Sequence, residues 1–155
     1  MGENKVASET LSIGVVGFSR NQFDKKTAAE KLEKIITQII ANHPNKNYEL
    51  VSGFTNMGVP QLAYVLADRL GMDTVGFSAS QAFRVRAGVY PVKKQIIVGE
   101  KFGDESNAFV QYIDSLVRIG GGPQSRHEVT LFKKLHAGKD LSQRLYEEEV
   151  EWYGK

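Results

Sequence analysis

A chain of 155 residues, 41% hydrophobic and 25% charged, suits one folded unit with a buried core and excludes a disordered polar polymer. A formal charge of +2 is too small to argue for nucleic-acid binding, and the absence of cysteine excludes disulfides, a thiol nucleophile and thiolate-bound metal. No apolar run reaches membrane-spanning length and residues 1 to 10 are polar, so no membrane partner is expected and the cytoplasm is the default compartment.

Residues 1 to 10 read as a flexible N-terminus. Ser12 to Phe18 is a continuous apolar run of strand length, as a parallel strand buried on both faces requires. Asp24 is placed to cap a helix whose Ala28, Leu32, Ile35, Ile36, Ile39 and Ile40 share one face, until His43-Pro44-Asn45 stops it. A second strand, Tyr48 to Val51, breaks at Ser52-Gly53. Val59, Leu62, Ala63, Leu66 and Leu70 then mark a second helix, with Gly71 as its C-terminal cap. Asp73 to Phe77 and Gln95 to Val98 are the third and fourth strands. Residues 79 to 94 show no period and read as a functional loop or a concealed short helix. Its basic cluster of Arg84, Arg86, Lys93 and Lys94 fits either an anion site or a solvated loop. Asn107 to Tyr112 is a short helix, 115 to 119 the fifth strand and 127 to 135 a further helix. Leu141 to Trp152 reads as a terminal helix whose glutamates, Glu147, Glu148, Glu149 and Glu151, form a solvated face.

Strands alternating with helices predict an α/β fold: a single-domain, Rossmann-like, doubly wound parallel sheet of about five strands with helices on both faces. The domain would span 11 to 137, with 138 to 155 as a helical extension whose apolar surface points to a homo-oligomer. Ligands of such sheets bind outside the carboxyl ends of the strands. Those ends carry Gly17, Ser19 and Arg20; then Ser52, Gly53, Thr55, Asn56 and Gly58; then Ser78; and, after the fourth strand, Gly99-Glu100. The fifth ends at Gly120-Gly121-Gly122, followed by Pro123, Gln124 and Ser125. Strand, glycine turn and helix start together present amide hydrogens and the positive end of a dipole to an anion. The expected ligand is a nucleotide or a related phosphorylated small molecule, with bound phosphate or sulfate as its minimal form. No cofactor is required, and three dispersed histidines give no metal-ligand spacing.

The segment 51 to 59, Val-Ser-Gly-Phe-Thr-Asn-Met-Gly-Val, resembles the second strand and turn of the SLOG superfamily. That Rossmann-like group includes the LONELY GUY (LOG) cytokinin-activating enzymes and the DNA-processing protein DprA. The tract 120 to 128 is similar to the LOG motif PGGxGTxxE, with Gly120 in place of its proline, Gln124 of its third glycine and Ser125 of its threonine, while Glu128 keeps its glutamate. The resemblance covers roughly residues 11 to 135. It implies that Gly121, Gly122 and Ser125 take a phosphate and that Glu128 faces a ribose. LOG enzymes hydrolyse the N-glycosidic bond of nucleoside 5'-monophosphates, and here Glu128, aided by Glu100, would serve the reacting centre. The family's Arg-Lys pair, however, falls at Glu105-Ser106-Asn107, where no arginine stands. A phosphorylated nucleoside bound without turnover is therefore the leading expectation and LOG-like hydrolysis the alternative. A DprA-like nucleic-acid binder, a third reading, lacks a sustained basic face with aromatic platforms.

Overall fold

The computed structural model describes residues 9 to 153. Six strands form one parallel sheet in the order β4-β3-β2-β1-β5-β6: β1 (Thr10–Gly17), β2 (Asn47–Ser52), β3 (Asp73–Ser78), β4 (Lys94–Ile97), β5 (Ser115–Ile119) and β6 (Leu145–Glu148). Four helices connect them: α1 (Lys25–Asn42), α2 (Gly58–Leu70), α3 (Ser106–Tyr112) and α4 (Pro123–Leu135). The expected flexible N-terminus lies, for residues 1 to 8, outside the described residues, and Thr10 already begins β1.

Alternation along the buried strands divides the core. Ile13, Val15, Leu50 and Val117 face α1 and α2, where Leu32, Ile36, Ile39 and Ala63 pack; Val16, Val51, Val75 and Leu116 face Phe109, Val129 and Phe132 of α3 and α4. Each sheet face is thus covered by a helix pair, which is why the strands read as continuous apolar runs rather than alternating ones. Local signals set the helix ends. Asp24 accepts the Thr27 amide at 3.0 Å and so caps α1, and Gly71 closes α2 in the left-handed region at φ 76°. Within residues 79 to 94 a short 3₁₀ turn, Ser80–Arg84, precedes β4.

Residues 141 to 152 are not helical. Leu141 to Arg144 form a turn, and 145 to 148 add a sixth strand to the free edge of β5, pairing Leu116 with Leu145 and Arg118 with Glu147. The physical reason is tertiary. Leu145 packs towards α3 and α4 and Tyr146 towards α1 and α2, a period of two that suits an edge strand. Buried Arg118 needs acceptors, which Glu147 on β6 and Glu149 just past its end supply: Nε donates to Glu147 at 2.8 Å and Nη2 to Glu149 at 2.9 Å. These glutamates, expected on a solvated helix face, are partners of a core arginine. Beyond them Trp152 stacks on Phe18 at 4.9 Å and forms an isolated bridge with Phe23.

Candidate functional site

Connections from β1 run through β2 and β3 to β4 on one side, and β5 and β6 extend the other, so strand order reverses between β1 and β5. There the carboxyl ends lie side by side, Gly17 paired with Ile119, and helices leaving the strands on opposite faces open a crevice. A cavity of about 250 Å³ occupies that crevice.

Ten of the residues expected at a site line it: Gly17, Ser19, Ser52, Gly53, Thr55, Ser78, Gly122, Gln124, Ser125 and Glu128. Others shape it from behind. Gly120 donates its amide to the Glu148 carbonyl at 2.8 Å and accepts Arg118 Nη1 at 2.8 Å, while the Gly121 carbonyl accepts Arg126 Nε at 3.2 Å. Glu149 bridges the two arginines, so the β6 edge holds the glycine turn in place. Gly121 has φ 105°, and a Cβ there would stand 2.0 Å from Ser125 Oγ. Gly58 donates its amide to Asn21 at 2.9 Å, and Asn56 donates its amide to the Gly88 carbonyl at 2.9 Å. Arg20 is exposed and outside the cavity lining, and Glu100 sits in an exposed turn where its amide donates to Asp104 at 3.0 Å. The basic cluster also lies elsewhere: Lys93 pairs with Asp73 at 3.1 Å, and Lys94 sits over the Tyr112 ring at 5.4 Å.

One end of the cavity is built from donors. Pro123 opens α4 without losing a needed amide, and the first intrahelical bond is donated by Arg126 to the Gly122 carbonyl at 3.2 Å. The Gln124 and Ser125 amides precede that bond and so fall among the unpaired donors of a helix start. Ser52 and Ser125 donate their hydroxyls to the Val15 and Gly122 carbonyls at 2.7 and 3.1 Å. Ser19 and Thr55 hydroxyls make no hydrogen bond among the described residues. No lysine, arginine or histidine lines the cavity among the described residues, so an anion there depends on amides, hydroxyls and the α4 dipole.

The other end is acidic and apolar. Phe77, Phe102 and Phe109 line it together with Glu105 and Glu128. Glu128 Oε2 accepts the Ser106 hydroxyl at 2.8 Å and Gln124 Nε2 at 3.4 Å, and the same Gln124 nitrogen donates to Glu105 Oε2 at 3.1 Å. One carboxamide therefore bridges two buried carboxylates. Burial pushes the Glu128 carboxyl up to about 7, against the Ser106 and Gln124 bonds that favour its ionised form, and burial also raises Glu105. Glu105, Phe77, Phe102, Phe109 and Pro60 were not legible as site residues. The sequence marked position 105 only by the arginine it lacks, and cavity-lining aromatics carry the same apolar signal as core.

No group of three or more histidine, aspartate and glutamate side chains placed to hold a metal ion occurs among the described residues, and no described helix is long and apolar enough to cross a membrane. No family model and no curated protein matches the chain. Solved structures match by fold. A molybdenum cofactor carrier protein from Chlamydomonas reinhardtii is 25% identical with a TM-score of 0.62, covering 82% of this chain and 72% of its own. The molybdenum cofactor binding protein from the phototrophic bacterium Rippkaea orientalis is 22% identical with a TM-score of 0.64, covering 90% and 89%. The structural-genomics protein TM1055 is 18% identical with a TM-score of 0.59, covering 90% and 91%. What these chains share with the present one is the Rossmann-type parallel sheet.

Proposed function

We propose that this chain binds a phosphorylated heterocyclic small molecule, a nucleotide or a cofactor of the molybdenum-cofactor kind, without turning it over. The observation that carries this reading is the cavity at the β1/β5 reversal, bounded by the first turn of α4 and free hydroxyls on one side and by aromatic and carboxylate groups on the other. Two fold neighbours are named for the molybdenum cofactor, which supports a ligand of that class. The homodimer and cytoplasmic setting expected from the sequence go with this reading.

A second reading is LOG-like hydrolysis. A buried glutamate with a pKa near 7 has the protonation range of a general acid. No guanidinium lines the cavity to meet a ribose phosphate, and Glu105 stands where the resemblance places an arginine, so binding is the better-supported function. Thermal denaturation with a panel of nucleoside monophosphates and phosphorylated pterins separates the two. At a concentration about 100 times Kd, a ligand should raise Tm by roughly 5–10 °C, with no free base released on incubation. Release of base would establish the hydrolase, and absence of any shift would remove both readings.

A further inference from the structure

The carboxylate corner of the cavity has an acceptor to spare. Both hydrogen bonds received by Glu128 fall on Oε2, from Ser106 and Gln124; Oε1 has no protein donor among the described residues, on a side chain only 5% exposed that lines the cavity. Glu105, 4% exposed, has its Oε1 taken by the Gly103 amide at 3.0 Å and its Oε2 by Gln124. Among the described residues the one side-chain nitrogen at this corner is Gln124 Nε2, already shared between the two carboxylates. Two negative groups in an apolar enclosure repel one another and strongly favour any donor that reaches them.

From this we infer that Glu128 reads the hydrogen-bond-donor edge of a planar heterocycle, the adjacent ring N–H and exocyclic amino group of a 2-amino-4-oxopyrimidine ring such as guanine or a pterin. This rests on the binding reading given above and specifies its ligand class. Oε1, with two open acceptor positions, can take both N–H groups of such an edge while Oε2 keeps its bonds from Ser106 and Gln124. Aromatic walls favour a flat ring over a sugar diol at the same place: Phe77 and Phe109 meet edge to face at 5.8 Å, and Phe102 and Glu105 flank the N-terminal end of α3. The phosphate would then lie towards Ser19, Thr55 and the first amides of α4, away from the carboxylates. Adenine presents a ring acceptor where guanine presents N–H, so it would set a lone pair against the Glu128 carboxylate. Hypoxanthine keeps the N–H and lacks the amino group.

Calorimetric titration at pH 8 with GMP, IMP, AMP and ribose 5-phosphate tests this in the wild-type protein. The expected order is GMP, then IMP, then AMP, with GMP at least about tenfold tighter than AMP; a missing partner at a hydrogen-bonding site costs at least that much. Glu128→Gln, nearly isosteric, should compress the GMP to AMP ratio below about threefold, while ribose 5-phosphate, which lacks the donor edge, should bind no more weakly than to the parent. Equal affinities for GMP and AMP, or an undiminished preference in the variant, would overturn the inference and leave the binding reading standing. Binding of none of the four would overturn the inference, and failure of phosphorylated pterins as well would overturn the binding reading.

Discussion

Replacing Gly17 with alanine is expected to destabilise the protein by about 3 kcal/mol and to abolish ligand-dependent stabilisation. A Cβ at this position would stand 2.1 Å from the Ile119 carbonyl oxygen and 2.9 Å from Val59 Cγ2. The first obstacle is backbone and cannot rotate away. Relief would require β1 and β5 to separate where their register pairs Gly17 with Ile119, which is also the floor of the cavity. Fold and site therefore fail together. Gly53 supplies the comparison within the same lining, because a Cβ there meets nothing within 4 Å. Gly53→Ala should stay within about 0.5 kcal/mol of the parent in urea denaturation. Similar midpoints for the two variants would show that the β1/β5 approach is not the constraint described.

The second large effect is pH-dependent stability at Glu128. Its carboxyl has an ordinary value of 4.5 in the unfolded chain and about 7 in the buried site. Between those values the folded state holds more protons than the unfolded one, so stability falls as pH rises from 4.5 through 7. The contribution of the protonated carboxyl is fully present below 4.5 and gone above 7. A shift of this size corresponds to about 3 kcal/mol, with the neighbouring Glu105, also raised by burial, adding to the same slope. Glu128→Gln keeps the shape and removes the charge. The variant should match the parent near pH 4 and exceed it by about 3 kcal/mol at pH 8. Denaturation curves at the two pH values decide this; a variant less stable than the parent at pH 8 would show that the ionised carboxylate is well accommodated.

The protein tolerates this cost at a place where a donor-bearing ligand would remove it. By linkage, a ligand that donates to Glu128 prefers the ionised form, so its affinity rises with pH through about 7. A bare anion shows the opposite slope. Glu105 at the start of α3, Ser106 one residue on and Gln124 on α4 are the polar groups facing Glu128, and none of them carries positive charge. The sign of the pH dependence therefore reports which part of a ligand meets this corner.

Much of the fold could be read from local chemistry. Each parallel strand is a short apolar run ended by glycine or serine, and each long helix carries its own stop or start, as Asp24 and Gly71 illustrate. The donor side of the cavity was legible for the same reason, since strand-end residues such as Ser19, Thr55 and Ser125 are brought to its lining by topology. β6 was not legible, because Leu141, Leu145 and Trp152 mimic a helical spacing while the deciding partner, Arg118, lies 29 residues before Glu147. Glu105 escaped for a related reason. Its importance comes from Gln124 and Glu128, which reach it across α3 and α4, and no window of sequence contains all three within one period.

In the binding proposed above, the opening turn of α4 and the strand-end loops beside it hold the phosphate of the ligand. Titrating isotope-labelled protein with ribose 5-phosphate and following backbone amide resonances tests it most directly. The largest shifts should fall at residues 121 to 125, 17 to 19 and 53 to 55, saturating together at one Kd. Shifts confined to the second cavity, lined by His43, Asp114 and Arg144, or no shift at millimolar ligand, would rule out a phosphate site at the α4 turn.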